Sequence, residues 1–257
     1  MEIKIAFFDI DGTLLNFGAK DISEAVKRSL RELRERGVKV FIATGRPPYR
    51  VPEFPGVTFD GVMSFNGSYC FDKDGVILSV PISQNDVKIV IKNANEIGLP
   101  VLVSTSTRLG INFRQKELDD YMGISGAPCE VVDDYDRIQQ EDVYQLMLGT
   151  PPDQDEWLLH GTSDVKIVRW WDKAMDVIPS DCGKAFGMRK ILQHYGFARE
   201  ESIAFGDGGN DQDMIEYAGI GVAMGNAMPP VKAVADYVTD SCADDGVSTA
   251  LKHFGLV

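Results

Sequence analysis

The sequence predicts an α/β fold: a parallel β-sheet core with helices packed on it, interrupted by an inserted α+β domain. Three observations lead to this prediction. Apolar strand-like runs alternate with amphipathic helical stretches at both ends of the chain. A strand, a helix and a second strand near the N-terminus have the spacing of a parallel βαβ unit. The middle of the chain loses this alternation and shows paired strand-like runs with scattered helices, which are typical of an α+β unit.

The N-terminal βαβ unit is predicted over residues 3–44. Residues 3–8 are apolar apart from Lys4, as expected for a strand that is covered on both faces. A helix is predicted over 21–36, with Asp21 and Glu24 at capping-box spacing and Gly37 at the C-terminal cap. Residues 38–44 form the second buried strand. The proline-rich stretch that follows, 47–56, is expected to be short of a helix.

The C-terminal part returns to α/β alternation and is expected to complete the same sheet. A helix over 184–195 is followed by a strand that ends at Asp207, and short strands and helices alternate from there to His253. A hairpin is predicted at residues 72–75. We therefore predict a core formed by residues 1–82 and 181–257, with residues 83–180 as the inserted domain.

The bulk composition is that of an ordinary soluble globular protein. The 257 residues are 44% hydrophobic and 25% charged, and 39 acidic residues outnumber 26 basic ones for a formal charge of −13. Lysine and arginine form no block, so we expect no nucleic acid and no membrane among the partners. The sequence makes no prediction about the oligomeric state.

The cysteines and the N-terminus indicate a reducing compartment. The four cysteines are far apart and form no CxxC pair, which predicts free thiols rather than a zinc or redox site. The N-terminus shows no charged segment followed by an apolar one, and no apolar run is long enough to span a bilayer. We therefore expect a cytoplasmic protein. The cysteines are Cys70, Cys129, Cys182 and Cys242.

Three clusters of polar residues come directly after predicted strands. They are Asp9 with Asp11, the stretch 44–46, and the stretch 207–211. Open α/β sheets bind ligands in the crevice outside the carboxyl ends of their strands. Segments that are about two hundred residues apart in sequence are therefore expected to meet at one site.

The residue types at these positions suit phosphoryl transfer. Acidic side chains from two strands are the hard oxygen ligands that Mg²⁺ takes, usually together with waters and phosphate oxygens. The hydroxyl of Thr44 and nearby backbone amides can donate to a phosphoryl group, and Lys184 at the start of a helix can add a positive charge. A carboxylate can also attack phosphorus and form an aspartyl-phosphate. Taken singly, the acids would form a solvated turn and Lys184 would be an exposed lysine.

Four segments, in this order, resemble the motifs of the haloacid dehalogenase superfamily. They are DIDGTLL, ATGR, Lys184 and GDGGND. The insertion between the second and third motifs is similar to the large cap of the Cof-type subgroup, class IIB, and FNGSYC is similar to that subgroup's Asn-Gly-Ala segment. The resemblance covers nearly the whole chain. It implies a Rossmann-like core with an inserted C2B-type cap that closes over the core site.

The resemblance also implies a role for each motif residue. Asp9 corresponds to the nucleophile and Asp11 to the general acid and base, whose backbone carbonyl joins Asp9 and Asp207 in binding Mg²⁺. Lys184 corresponds to the lysine that neutralises the nucleophile and the phosphoryl group. The phosphate-binding positions are Thr44, Gly45, Arg46, Lys184 and Asn210, and Asp211 supports the metal and the lysine.

The function that this resemblance implies is a Mg²⁺-dependent phosphatase acting on small phosphate monoesters, with sugar phosphates as the expected class. Two alternatives remain open at this point. A sugar phosphomutase would use a similar core and cap but return the phosphoryl group to the sugar. A non-catalytic phosphate or metal sensor would bind without turnover, although binding alone requires neither a nucleophile nor an acid.

Overall fold

The computed structural model describes residues 2–124, 130–169 and 173–257. Their backbone forms two compact units. The core unit consists of Met1–Arg46, Val51–Ser79 and Gly183–Val257, and the inserted unit consists of Pro47–Arg50 and Val80–Cys182. The predicted division into domains at 82/83 and 180/181 remains a prediction. No helix in the described ranges is both long and apolar enough to cross a membrane.

The secondary structure contains the predicted elements in their predicted order, together with elements that were not predicted, among them the strand Gly61–Ser64 and the helices Lys116–Ile124 and Tyr135–Ile138. The strands are β1 (Ile5–Phe8), β2 (Lys39–Ala43), β3 (Gly61–Ser64), β4 (Tyr69–Asp72), β5 (Gly75–Ser79), β6 (Leu102–Thr105), β7 (Leu109–Ile111), β8 (Val143–Leu148), β9 (Val165–Val168), β10 (Met175–Pro179), β11 (Ser202–Gly206), β12 (Ile220–Ala223) and β13 (Tyr237–Val238). The helices are α1 (Glu24–Glu35), α2 (Gln84–Glu96), α3 (Lys116–Ile124), α4 (Tyr135–Ile138), α5 (Asp155–Leu158), α6 (Lys184–Tyr195), α7 (Gln212–Tyr217), α8 (Pro229–Val234) and α9 (Gly246–His253).

The core unit is built on one eight-stranded sheet in the order β13-β12-β11-β1-β2-β3-β4-β5. The first six strands of this order are parallel, and β4 and β5 add the predicted hairpin as an antiparallel edge. The chain leaves β1 for β2 on one side and returns to β11 on the other. The crevice between β1 and β11 is therefore the topological switch point, where ligands bind in open α/β sheets.

The central strands are apolar because helices cover both faces of the sheet. Phe8 on β1 stacks on Phe205 of β11 with ring centroids 4.7 Å apart, and both side chains are fully buried. Burying a side chain of this size contributes about 1.5–3 kcal/mol. This packing holds β1 and β11 side by side, which sets the separation of the residues that follow them.

Helix α1 begins later than predicted. Its N-terminal cap is Ser23, whose Oγ accepts a hydrogen bond from the backbone N–H of Val26 at 3.1 Å. The predicted start at Asp21 is wrong because that carboxylate instead accepts from the N–H of Ile22 and from Lys27. Helix α6 agrees with the prediction at both ends and finishes at Gly196, a glycine in the left-handed conformation that such caps require.

The inserted unit contains a five-stranded antiparallel sheet in the order β7-β6-β8-β10-β9. One apolar cluster lies between the sheet and helices α2, α4 and α5, and a smaller one includes α3. The predicted pattern of paired strands with scattered helices is present, but α3 and α4 were not among the predicted helices. The stretch after Arg46 has only a 3₁₀ turn, Pro48–Arg50, as expected.

Candidate active site

Acidic residues follow two adjacent parallel strands of the core unit. Asp9 comes directly after β1 and Asp207 directly after β11. The two strands are hydrogen-bonded neighbours, so their carboxyl ends open into the same crevice. The two residues are only 6% and 9% exposed. Two buried carboxylates at one point are unfavourable unless cations or hydrogen-bond donors balance them.

Lys184 supplies one of these cations. Its side chain is fully buried, and its Nζ donates to Asp9 Oδ1 at 2.6 Å, to Asp211 Oδ1 at 2.5 Å and to the backbone carbonyl of Ala43 at 2.8 Å. An ammonium group has three N–H donors, and here all three have an acceptor. Lys184 therefore joins the ends of β1 and β2 to the turn after β11. Burial alone would lower the pKa of Lys184, but the charges of Asp211 and Asp9 hold it well above its usual range.

One lysine does not balance the acids around it. Burial and the charge of Asp211 raise the pKa of Asp9 well above its usual value, against the opposing effect of Lys184. Burial and the same neighbouring charge raise the pKa of Asp207 from 3.8 to about 7. The crevice therefore favours a further positive charge next to these two carboxylates.

A divalent metal ion fits this donor set. Asp9, Asp207 and Asp211 each offer a carboxylate oxygen, and these atoms lie within 4.8 Å of one another. Asp211 has both oxygens engaged, since Oδ1 accepts from Lys184 and Oδ2 accepts from the backbone N–H groups of Asp207 and Gly208, each at 2.9 Å. Within the described residues, Asp9 Oδ2 accepts no hydrogen bond. Each oxygen of Asp207 accepts a single hydrogen bond and keeps a second lone pair, whereas Asp211 Oδ2 already accepts two. Asp9 and Asp207 are thus the better candidates for ligands, and Asp211 holds the lysine and the loop.

Two residues that the sequence did not single out hold Asp207 in place. Thr13 donates from Oγ1 to Asp207 Oδ1 at 2.9 Å. The side-chain N–H₂ of Asn226 donates to the backbone carbonyl of Gly12 at 2.8 Å and to Asp207 Oδ2 at 3.2 Å. The Asn226 oxygen accepts in turn from the N–H of Cys242 at 2.8 Å. Asn226 thus connects the loop after β1 to the loop after β11.

Gly12 is required at its position for two separate reasons. Its φ of +92° lies in the left-handed region, and a Cβ atom there would be 2.2 Å from Asp207 Oδ2. We predict that Gly12→Ala destabilises the protein by at least about 2 kcal/mol, from backbone strain and overpacking together. Urea denaturation measures the loss. The matched control is Gly18→Ala, because Gly18 has a similar φ of +80° and nothing within 4 Å of its Cβ position. Equal losses in the two variants would contradict the proposed clash with Asp207.

Asp11 has a different environment from Asp9 and Asp207. Its carboxylate is 37% exposed and forms a two-point ion pair with Arg46, with Nε to Oδ2 at 2.8 Å and Nη2 to Oδ1 at 2.6 Å. It makes no hydrogen bond to Lys184. The two acids of the first motif therefore have different partners. Asp9 is buried against Lys184, and Asp11 is held at the crevice by Arg46. The expected phosphate ligand Arg46 is here a partner of Asp11.

The remaining predicted residues lie together beside this network. Thr44 is 2% exposed, and its hydroxyl accepts from the backbone N–H of Arg46 at 3.1 Å. Asn210 donates from Nδ2 to the side-chain oxygen of Asn66 at 3.0 Å, and Asn66 also lies against Gly45. The structure thus brings all the sequence-predicted residues to one end of the core sheet. Asn66 lies in the quoted segment FNGSYC and Thr13 in DIDGTLL, so the sequence contained a signal for both residues, but none for Asn226.

The thiol of Cys242 lies near the acids of this site but is not a reactive group. Cys70, Cys182 and Cys242 form no disulfide with one another. Burial, together with the charges of Asp207 and Asp9, raises the pKa of Cys242 to about 12. A thiol with so high a pKa is protonated at neutral pH and is a poor nucleophile and metal ligand. Cys129 lies outside the described residues.

Comparison with known proteins relates this chain to a family of hydrolases. Residues 6–251 match the family model of haloacid dehalogenase-like hydrolases. The Bacillus subtilis protein YkrA, provisionally named a phosphatase, is 33% identical over 261 residues that cover 100% of both chains. YitU of the same organism, named a 5-amino-6-(5-phospho-D-ribitylamino)uracil phosphatase, is 30% identical over 96% of this chain and 95% of its own. The solved structure of BT4131, described as a subclass IIB sugar phosphatase, is 32% identical, covers 99% of this chain and 100% of its own, and superposes with a TM-score of 0.89.

Proposed function

Because this chain belongs to the haloacid dehalogenase-like hydrolase family and is one of its phosphatases, we propose that it hydrolyses small phosphate monoesters, preferentially sugar phosphates, through an aspartyl-phosphate on Asp9. The observation that carries the proposal is that the two acids of the first motif have different partners, which suits them to different roles. Asp9 is buried against Lys184 and has one oxygen that accepts no hydrogen bond from any described residue, and Asp11 is held apart from the lysine by Arg46. The sugar-phosphate class is supported by the names of YitU and BT4131.

In the proposed first step, a carboxylate oxygen of Asp9 attacks phosphorus and the bond from phosphorus to the ester oxygen breaks. Asp11 donates its proton to that oxygen, so the alcohol leaves neutral. In the second step the Asp11 carboxylate takes a proton from water, and the water oxygen attacks phosphorus. The bond to Asp9 then breaks, phosphate is released, and Asp11 is protonated again. Throughout, Lys184 favours the ionised form of Asp9 and aligns its carboxylate, and Arg46 orients Asp11.

We assign Mg²⁺ as the cofactor, held by the carboxylates of Asp9 and Asp207 with the backbone carbonyl of Asp11. The support is the chemistry of the candidate ligands, which are buried carboxylate oxygens of the kind that Mg²⁺ prefers. Burial and neighbouring negative charge raise the pKa values of Asp9 and Asp207, so a cation beside them is favourable. When bound, Mg²⁺ supplies positive charge that reduces the repulsion between carboxylates and phosphate and stabilises the transition state. Thr13 and Asn226 hold Asp207 in its orientation toward such an ion.

The test is phosphate release from a panel of esters with Mg²⁺ and with EDTA. The panel contains hexose and pentose phosphates, nucleotides and 4-nitrophenyl phosphate, and each reaction is also analysed for isomerised sugar phosphate. We expect metal-dependent release, fastest with sugar phosphates. Isomerised sugar phosphate without free phosphate would identify a mutase instead. Mg²⁺-dependent binding of many esters with no turnover would identify a sensor.

The raised pKa values predict how stability depends on pH and metal. Folding raises the pKa of Asp207 from 3.8 to about 7, so between these values the folded state holds a proton that the unfolded state has lost. The metal-free protein therefore loses stability as pH rises through this window. Mg²⁺ binds the ionised carboxylates, so its stabilising effect should increase over the same window. Each kcal/mol corresponds to about 2–4 °C in Tm for a chain of this size.

Thermal unfolding at pH 5.5, 6.5 and 7.5, with EDTA and with Mg²⁺, checks this expectation. The difference in Tm between the two conditions should be smallest at pH 5.5 and largest at pH 7.5. The Asp207→Asn variant is the control, because it cannot ionise at this position and should show a flatter metal-free profile. A Mg²⁺ effect that is equal at all three pH values would contradict the assignment of the metal to these acids.

A further inference from the structure

A tight turn of unusual conformation follows β3 beside the site. Three successive residues, Phe65, Asn66 and Gly67, have φ values of 50°, 51° and 92°. Within the described residues, only Phe65, Asn66 and Asp245 have positive φ without being glycine. The left-handed conformation is unfavourable for residues that carry a Cβ atom, and bulky ones like phenylalanine rarely adopt it. Surrounding contacts must therefore hold this turn in place.

Those contacts come from two segments of the site. The N–H of Phe65 donates to the carbonyl of Arg46 at 3.3 Å, and the N–H of Asn66 donates to the carbonyl of Thr44 at 3.0 Å. On its other side the turn packs on the start of α6, where a Cβ atom on Gly67 would be 2.1 Å from the carbonyl of Gly183. Gly183 directly precedes Lys184. The turn is thus fixed between the loop after β2 and the helix that carries the lysine.

The turn places the Asn66 side chain between two residues of the proposed phosphate site. Asn66 is 2% exposed, and its Oδ1 accepts from Asn210 Nδ2 at 3.0 Å. Its amide also lies against Gly45, where a Cβ atom would be 3.1 Å from both Oδ1 and Nδ2. If the Asn210 amide were rotated by 180°, its oxygen would face Asn66 Oδ1, and two acceptors would meet. The hydrogen bond to Asn66 therefore determines the orientation of the Asn210 amide, including the direction of its second N–H.

We propose that Asn66 is a positioning residue for phosphate binding, which acts by orienting the Asn210 amide and by supporting the backbone at Gly45. This inference rests on the proposed function, because it assumes that Asn210 donates to the bound phosphate. The residue type agrees with the role. Asparagine tolerates a left-handed backbone and offers an uncharged acceptor, whereas aspartate would add a negative charge next to a phosphate dianion.

The test measures binding of inorganic phosphate by calorimetry in saturating MgCl₂, with metal affinity titrated separately. Asn66→Gly permits the same left-handed backbone and removes the side chain that carries the amide. It should weaken phosphate binding about 5- to 20-fold and leave Mg²⁺ affinity within twofold. Asn66→Asp should weaken phosphate binding further. Because Asn66 is proposed to act through Asn210, Asn66→Gly should reduce phosphate affinity much less in the Asn210→Ala variant than it does in the wild type.

Asp245→Gly is the matched control, since it replaces the other described residue of this backbone type outside the site, and it should bind phosphate as the wild type does. Unchanged phosphate binding in Asn66→Gly, or fully additive losses in the double variant, would overturn the inference and leave the proposed function standing. A wild-type protein that binds Mg²⁺ but no phosphate would overturn both.

Discussion

Replacing Asp9 with asparagine is expected to lower phosphate release by about 10³-fold or more without unfolding the protein. The amide cannot attack phosphorus, so the proposed covalent step is lost. The side-chain oxygen remains in place to accept from Lys184, which donates to Asp9 Oδ1 at 2.6 Å. The loss should appear in kcat for every ester of the panel, because the nucleophile is common to all of them.

The same variant has a second expected result that a merely structural role would not produce. Burial and the charge of Asp211 raise the pKa of Asp9, so the ionised carboxylate is less stable in the folded protein than in water. Asp9→Asn should therefore unfold in EDTA at a Tm no lower than that of the wild type at pH 7.5, and should gain less from Mg²⁺. Asp213→Asn is the control, an acid-to-amide change near Lys184 that should keep its turnover. Wild-type turnover in Asp9→Asn would refute the nucleophile assignment.

Replacing Lys184 with methionine is expected to destabilise the folded protein by about 3–5 kcal/mol and to abolish turnover. The lysine is fully buried, and three acceptors depend on it: Asp9, Asp211 and the carbonyl of Ala43. Without it, two buried carboxylates have lost their cation, and this leaves uncompensated charge in a crevice that already carries an excess. Urea denaturation and phosphate release measure the two effects.

Two comparisons separate the loss of charge balance from a general effect of methionine on the helix. Lys190→Met changes the same residue type on the same helix, where the ammonium lies over the Phe186 ring, and should cost less than about 1 kcal/mol. Asp9→Asn in the Lys184→Met background should restore part of the stability but none of the activity, because it removes one of the unpaired charges. The deficit should also shrink as pH falls and the carboxylates take up protons. A deficit that does not change with pH would indicate lost packing instead.

The order of the elements could be predicted from local sequence because it depends on local physics. The apolar run before Asp9, the stripe along α1 and the helix from Lys184 to Tyr195 each express a period that neighbouring residues alone determine. The α/β core sheet and the inserted α+β unit follow from this order. Capping was less predictable, because Ser23 and Asp21 both offer a suitable oxygen, and only the path of the chain decides that Ser23 caps the helix.

The sequence by itself determined which residues carry chemical groups and which end of the sheet they share. Acids and a threonine after parallel strands must collect at one edge, whatever the details of packing. Only the tertiary structure decided the partners: Lys184 on Asp9 and Asp211, Arg46 on Asp11, and Asn66 on Asn210. These pairs are 27 to 175 residues apart in sequence. Their contacts depend on the strand order and on sub-ångström packing, which no local periodicity encodes.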